Sequence, residues 1–105
     1  MTVLILTTES PERSDGLAKA LVENKLAACV SIVEIKKSVY YWEGKVQEEP
    51  EHLLIIKTDE SKAESCKDFI KQKHSYSVPE ILMIRTESLN PDYEAWLKEY
   101  LNVNL

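Results

Sequence analysis

Cys29 and His74 are the two residues whose side chains best suit the binding of a soft metal ion. A thiolate and an imidazole brought together by folding match the ligand preferences of copper and zinc. Each residue also has a structural interpretation. Cys29 stands between Ala28 and Val30 and can act as a small core residue. His74 lies at a predicted helix end, where it can bind unpaired carbonyl groups, and the residues alone favour the structural interpretation for both.

Lys57 and the aromatic run YYW (Tyr40, Tyr41 and Trp42) are the next candidates for binding. Lys57 follows four apolar residues, so it is either a solvent-facing strand end or a buried cation directed at an anionic group. The aromatic run precedes a glycine turn and can form either a ligand platform or an anchor between subunits. We favour the anchor, because tyrosine and tryptophan are enriched at protein interfaces.

The sequence motifs of the common enzyme and cofactor sites are missing. There is no nucleophile elbow, no phosphate-binding glycine loop and no H-E-x-x-H zinc motif. The two cysteines lie outside any C-x-x-C spacing, and the aromatic strand motif of RNA-binding domains is absent. The sequence therefore predicts a protein without catalytic residues.

Length, charge and cysteine content narrow the class of protein further. The 105 residues predict a single domain over 1–105, and the net charge of −5 argues against a nucleic-acid partner. The chain starts without the pattern of a signal peptide, and no apolar run approaches membrane-spanning length. We therefore expect a cytoplasmic protein with reduced cysteines and no membrane partner.

A long hairpin over residues 27–58 organises the predicted fold. β-branched and aromatic residues dominate its first arm, and Glu43–Gly44 is the predicted turn. Pro50 cannot donate to a strand ladder, so we expect an edge or a bulge there. The second arm ends in the apolar run LLII (53–56), which predicts a strand covered on both faces. Because a short chain covers only one face with its own helices, the second layer is expected from another copy.

The other elements complete an α+β pattern of the order βαββαβα. Ser10 and Pro11 predict the start of the first helix, and Ser61 with Glu64 matches a capping box for the second, which should end near His74. The remaining strands are predicted at 3–8 and 81–85. The third helix is predicted to start at Asn90 and to bury a stripe of five residues, which are Tyr93, Trp96, Leu97, Tyr100 and Leu101. This order predicts a ferredoxin-like two-layer sandwich with an added C-terminal helix.

Five segments of the chain resemble the CutA family of divalent-cation-tolerance proteins, in the order and spacing of that family. They are LAACVSI (26–32), YYWEGKV (40–46), LLIIKT (53–58), HSYSVPEI (74–81) and NPDYEAWL (90–97). The resemblance implies a ferredoxin-like subunit with PII-like architecture. It also implies a homotrimer whose long hairpins pair across subunits, and binding of copper or other divalent metals.

The resemblance also implies roles for individual residues. Cys29 matches the cysteine of the family's Ala-Ala-Cys motif, and His74 matches the histidine of its His-Pro-Tyr motif. Lys57, Tyr76 and Glu80 fall near the inter-subunit cleft of the family. Ser75 stands where the family has a proline, so we expect a looser loop around His74. Since no closed four-ligand cage is visible, we expect reversible metal binding and no metal requirement for folding.

Two functional hypotheses of different classes follow from these observations. The first is a trimeric copper-binding or metal-tolerance protein without turnover. The second is a PII-like signalling protein that senses a small anion or nucleotide in inter-subunit clefts near Lys57. A third hypothesis, a structural partner protein or an uncharacterised enzyme, has less support in the sequence.

Overall fold

The computed structural model describes residues 1–103, and within them a four-stranded antiparallel sheet has the order β2-β3-β1-β4. None of the helices in this part of the chain is long and apolar enough to cross a membrane. The strand order and the helix positions confirm the ferredoxin-like prediction. The elements are β1 (Thr2–Glu9), α1 (Ser14–Glu23), β2 (Cys29–Trp42), β3 (Lys45–Asp59), α2 (Ala63–Lys73), β4 (Leu82–Arg85) and α3 (Pro91–Leu101).

The predicted hairpin is formed by β2 and β3, which pair along almost their whole length. Glu43 and Gly44 have φ angles of 49° and 84°, and two positive values in a two-residue turn match the twist of the flanking strands. The pairing register shifts between Ile35 and Ser38, where two residues of β2 lie opposite Pro50. The predicted turn and the predicted bulge are both confirmed.

Helices α1 and α2 cover one face of the sheet, whereas α3 packs in a separate cluster with Ala28. Leu54 and Ile56 in β3 are fully buried on that face, whereas their neighbours Leu53 and Ile55 point to the opposite face and are only half-buried. Alternate burial within one strand means that a single subunit covers it on one side. The fully or nearly buried residues contributed by α1 and α2 to this core include Leu17, Leu21, Cys66 and Ile70.

The opposite face of the sheet, which we call the open face, is apolar. Leu82 and Ile84 in β4 lie beside Leu6 and Leu4 in β1 on this face, and the two β4 side chains are exposed. Large apolar side chains that share one exposed sheet face form a contiguous patch, which is uncommon on a monomeric soluble protein. The open face thus has the composition of a surface that another chain covers.

Two predicted helix starts are wrong in detail. α1 begins at Ser14 and not at Pro11, because the Ser10 carbonyl accepts hydrogen bonds from the N–H groups of Arg13 and Ser14 and closes a separate turn first. The α2 region begins with a 3₁₀ turn at Glu60–Lys62, and its cap is Asp59. Ser61 donates to the Asp59 carboxylate through both its N–H and its hydroxyl, so it is a donor and not the capping acceptor.

The start of α3 is confirmed, but its predicted buried stripe is only partly correct. Asn90 caps the helix by accepting a hydrogen bond from the Asp92 N–H. Leu97 and Leu101 are buried against Ala28 at the entry to β2. Trp96 is 49% exposed and Tyr93 is 37% exposed, so these two members of the stripe are not buried within the subunit.

Candidate functional site

Cys29 and Lys57 lie directly opposite each other in the β2–β3 ladder, with their side chains on the face away from the helix core. The Lys57 Nζ is 3.7 Å from the Cys29 Sγ and donates a 2.8 Å hydrogen bond to the Ser31 hydroxyl. All three residues are half-buried. Lys57 is therefore a partly buried cation, and its partners within the subunit are a thiol and a hydroxyl.

Cys66, the other cysteine, is in a different environment. Its thiol is fully buried in the helix core and donates to the Leu26 carbonyl oxygen at 2.9 Å. Burial disfavours the thiolate and raises the pKa of Cys66 to about 11. Because a thiolate is the form that binds metal, Cys29 is the cysteine whose exposure permits this chemistry.

The His74 imidazole is buried, and both of its nitrogens have partners. Its Nε2 lies 2.5 Å from the Thr8 carbonyl oxygen, and its Nδ1 accepts a 3.0 Å hydrogen bond from the Tyr76 N–H. A carbonyl oxygen can only accept, so this network assigns the proton to Nε2. His74 is at the predicted helix end, but the carbonyl that it binds belongs to β1. In this conformation the Nδ1 lone pair already accepts a hydrogen bond and is not available to a metal ion.

Glu9 holds the loop beside His74. Its carboxylate accepts hydrogen bonds from the N–H of Ser10 at 2.8 Å and from the N–H of Ser75 at 3.1 Å, and it also accepts from the Ser75 hydroxyl. Burial opposes ionisation of Glu9, but these hydrogen bonds and the nearby His74 together lower its pKa. Serine supplies two donors where proline has no N–H, so hydrogen bonds to Glu9 hold the loop at the position where the family's proline would stiffen the backbone.

Tyr76 and Glu80 line a cleft of about 700 Å³ that opens next to the hairpin. The Tyr76 hydroxyl donates to Glu51 at 2.7 Å, and burial together with this bond raises the pKa of Tyr76. Three carboxylates face the cleft, and no Lys or Arg is among its described lining residues, which include Glu49, Glu51, Glu80, Tyr40 and Trp42. Tyr41 is not part of this lining and is 71% exposed.

The candidate residues thus fall into separate groups within one subunit. Cys29 and Lys57 are level with Leu4 of β1, whereas His74 binds Thr8 of the same strand. Four strand positions correspond to about 13 Å along the sheet. Among residues 1–103, no three His, Cys, Asp or Glu side chains converge as a metal cluster. Cys29 and His74 therefore do not fit a shared metal site inside one subunit.

Sequence reasoning missed three residues that shape this region: Glu9, Glu51 and Ser75 as a donor. Glu9 and Glu51 are nearly fully buried carboxylates, yet in the sequence each stands in a polar context that is typical of solvent-exposed residues. Their partners, Ser75 and Tyr76, are more than twenty residues away along the chain. The sequence contains no local signal for such long-range hydrogen bonds.

Comparison with known protein families gives one consistent result. The model of the family described as CutA1 divalent ion tolerance protein matches residues 2–100. The chain is 42% identical over 97 residues to a divalent-cation tolerance protein CutA of Thermus thermophilus, and the match covers 92% of this chain and 94% of that one. It is 44% identical over 96 residues, 91% of its length, to Protein CutA 1, chloroplastic, of Oryza sativa subsp. japonica.

The solved structures agree with the sequence matches. The structure of the periplasmic divalent cation tolerance protein CutA from Archaeoglobus fulgidus has a TM-score of 0.91 and 38% sequence identity, and the match covers 96% of this chain and 99% of that one. The chain spans only 54% of the length of the Oryza sativa relative.

Proposed function

Because the chain belongs to the CutA1 divalent ion tolerance family, we propose that it binds a divalent metal ion, copper in particular, without chemical turnover. The observation that carries this proposal is the half-exposed Cys29 thiol next to the Lys57 ammonium group. Thiolates are preferred copper ligands, and the Cys29 thiol is accessible whereas the Cys66 thiol is buried. A cytoplasmic location is part of the same proposal, and cell fractionation tests it.

We propose that the two ligands of the family motif have unequal roles in this chain. Cys29 is the primary metal ligand, since its side chain reaches solvent on the open face. His74 is buried, and its Nδ1 lone pair accepts the Tyr76 N–H, so it binds metal only after its loop moves. Because one subunit keeps the two residues apart, further ligands for Cys29 would come from a second copy or from solvent.

We also propose that the functional unit is a homotrimer. The support is the apolar open face and the exposed aromatic run at the hairpin end, where Tyr40, Tyr41 and Trp42 are 38%, 71% and 44% exposed. Both features suit a surface that a neighbouring copy covers, because interface cores are apolar and rich in aromatic side chains. The number three comes from the family resemblance. Light scattering on a size-exclusion column tests it, and a monomer at micromolar concentration would contradict it.

The alternative of a small-anion or nucleotide sensor has less support from the charges. The cleft lined by Tyr76 and Glu80 carries three glutamates, whose field repels an anion. Lys57 lies several strand positions away and already donates to Ser31. A thermal-shift screen with nucleotides and metals separates the two functions, because a ligand that binds the native state raises the melting temperature.

The experiment that tests copper binding is a calorimetric titration of Cu(II), and of Cu(I) under reductant, into four proteins. They are the wild type, Cys29→Ser, His74→Ala and the matched control Ser31→Ala, which removes a hydroxyl next to the same lysine. We expect loss of binding in Cys29→Ser and little change in the other two variants. Affinity should fall on acidification, because the Cys29 thiol must lose its proton to bind a metal ion. Equal binding by all four proteins would assign the metal to other surface groups and refute the proposal.

A further inference from the structure

A set of hydrogen bonds fixes the first residues of the loop that follows α2. The Glu9 carboxylate binds the N–H and the hydroxyl of Ser75, and its own position is set by the Ser10 N–H. Ser75 lies between His74 and Tyr76, so fixing it also fixes both neighbouring peptide groups. This placement directs the Tyr76 N–H to the His74 Nδ1, and the Glu9 Oε2 lies 3.4 Å from the same nitrogen.

These contacts determine whether the His74 imidazole is available to a ligand. Metal coordination by a histidine requires an unprotonated ring nitrogen with a free lone pair and a path from solvent. Here the ring is buried, its Nε2 proton is directed at the Thr8 carbonyl, and its Nδ1 lone pair is occupied. The ring becomes available only if the peptide between Ser75 and Tyr76 turns away.

We propose that Glu9 and Ser75 form a clamp that keeps the His74 imidazole away from metal ions, so that a divalent cation reaches His74 only when the contacts between Glu9 and Ser75 break. The inference rests on the proposed metal-binding function and adds a regulation to it. Glu9 acts here as a positioning residue, because it works through the conformation of the loop. Ser75 contributes two bonds to the clamp, one from its N–H and one from its hydroxyl.

The strength of the clamp sets the expected effects. Apparent affinity equals the intrinsic affinity multiplied by the fraction of molecules in the open state. Losing one hydrogen bond to a charged group should raise that fraction roughly tenfold to a hundredfold. In Glu9→Gln the side-chain NH₂ group must face either the N–H of Ser75 or the N–H of Ser10. One hydrogen bond is therefore lost in both orientations of the amide. Ser75→Ala removes the hydroxyl bond alone and is the milder variant.

The first test needs no metal. Diethyl pyrocarbonate modifies unprotonated, accessible imidazole nitrogens, and mass spectrometry of the peptides separates His74 from His52. We expect slow modification of His74 in the wild type and in the control Ser77→Ala, which changes a serine of the same loop outside the Glu9 contacts. In Glu9→Gln and Ser75→Ala the modification rate of His74 should rise roughly tenfold or more. Circular dichroism and light scattering confirm that each variant keeps its fold and assembly.

The second test uses Cu(II) with electron paramagnetic resonance. In the clamp variants we expect a nitrogen hyperfine pattern and a tighter binding step, both of which disappear when His74→Ala is added. The wild type should lack this step, so adding His74→Ala to it should leave its copper titration unchanged. A general loss of stability would not produce a new nitrogen ligand, so this spectrum distinguishes positioning from a structural role.

The outcomes separate this inference from the proposed function. Equal His74 modification in the wild type and the clamp variants overturns the clamp, whatever the copper results are. Faster modification without any His74-dependent copper step, while Cys29-dependent binding persists, overturns the link to metal and leaves the proposed function intact. If no protein in the series binds copper, the proposed function fails, and the modification rates still decide whether the clamp exists.

Discussion

Replacing Trp42 with alanine should weaken the assembly far more than the fold of the subunit. Trp42 ends β2 at the tip of the hairpin, and its indole N–H donates to Glu43, the next residue in the turn. Its side chain is 44% exposed in the subunit, and it is absent from the helix core. The residue therefore lies outside the helix core of one chain and leaves a large apolar surface for contact between chains.

The size of the effect follows from the exposed area. Taking about 250 Å² for a tryptophan side chain, the exposed 44% corresponds to about 110 Å². Covering that area contributes about 3 kcal/mol per subunit, or about 8 kcal/mol for three. The monomer concentration at the midpoint of a monomer–trimer equilibrium varies as the inverse square root of the association constant. A loss of this size therefore raises the midpoint roughly a thousandfold.

Light scattering over a dilution series measures this midpoint directly. The matched control is Trp96→Ala, since Trp96 is the other tryptophan of the chain and is similarly exposed at 49%, but lies on α3 and not on the hairpin. We expect the control to keep the trimer at concentrations where Trp42→Ala dissociates. The circular dichroism spectrum of dissociated Trp42→Ala should retain its helical and sheet signal, because the core of β1, β3, α1 and α2 is unchanged.

Two results would refute this reasoning. If Trp42→Ala stays trimeric with an unchanged midpoint, the exposed indole faces solvent or a ligand, and the hairpin end is not the anchor. If the variant loses its sheet signal along with its assembly, then Trp42 supports the fold of the hairpin itself. The control variant makes the first result unambiguous, because it shows what removal of an equally exposed indole does elsewhere.

Two further predictions concern the cysteines and the acid stability. A thiol reagent at neutral pH should modify Cys29 rapidly and Cys66 only after unfolding, because burial raises the pKa of Cys66 to about 11; two equally fast thiols in the native protein would contradict this. Glu94 accepts two hydrogen bonds from Thr2, and these bonds lower the pKa of Glu94. The stabilisation by ionised Glu94 should therefore be complete above the pKa of the unfolded chain, about 4.3, and should be lost as the pH falls through the lower pKa of the folded protein. The difference in unfolding free energy between wild type and Glu94→Gln should therefore shrink on acidification, and a constant difference would contradict the assignment.

The fold was predictable because its signals are local. The Glu43–Gly44 turn, the bulge at Pro50 and the Asn90 cap each depend on residues within a few positions of one another, and each is confirmed. The family resemblance, read from five short segments, is confirmed as well. α1 starts later than the sequence predicts, because a serine followed by proline favours a tight turn as well as a helix start, and local patterns do not distinguish the two.

The site was less predictable because its contacts are distant along the chain. The two residues chosen for their chemistry, Cys29 and His74, were assigned by type, whereas their availability depends on partners that the sequence does not indicate. Glu9 and Ser75 are 66 residues apart, and their hydrogen bond holds the residue that follows His74. A substitution that looks like a loss of rigidity, serine for proline, instead adds donors for a buried carboxylate. Such compensation becomes visible only when the backbone has placed both groups together.

Because Cys29 and His74 are separated within one subunit, the proposed trimer is the unit in which to test metal binding. A single thiolate is a poor metal site, because structural and catalytic metal sites use three or four protein ligands. Cys29 lies on the apolar open face, and that is the face on which a neighbouring copy is proposed to pack.

If neighbouring copies complete the site, Trp42→Ala should lower copper affinity in step with the loss of trimer, although Trp42 is at the far end of the hairpin from Cys29. Titration of Cu(II) above and below the dissociation midpoint of this variant measures the coupling. Equal copper affinity of the monomer and the trimer would show that Cys29 binds metal without any contribution from its neighbours.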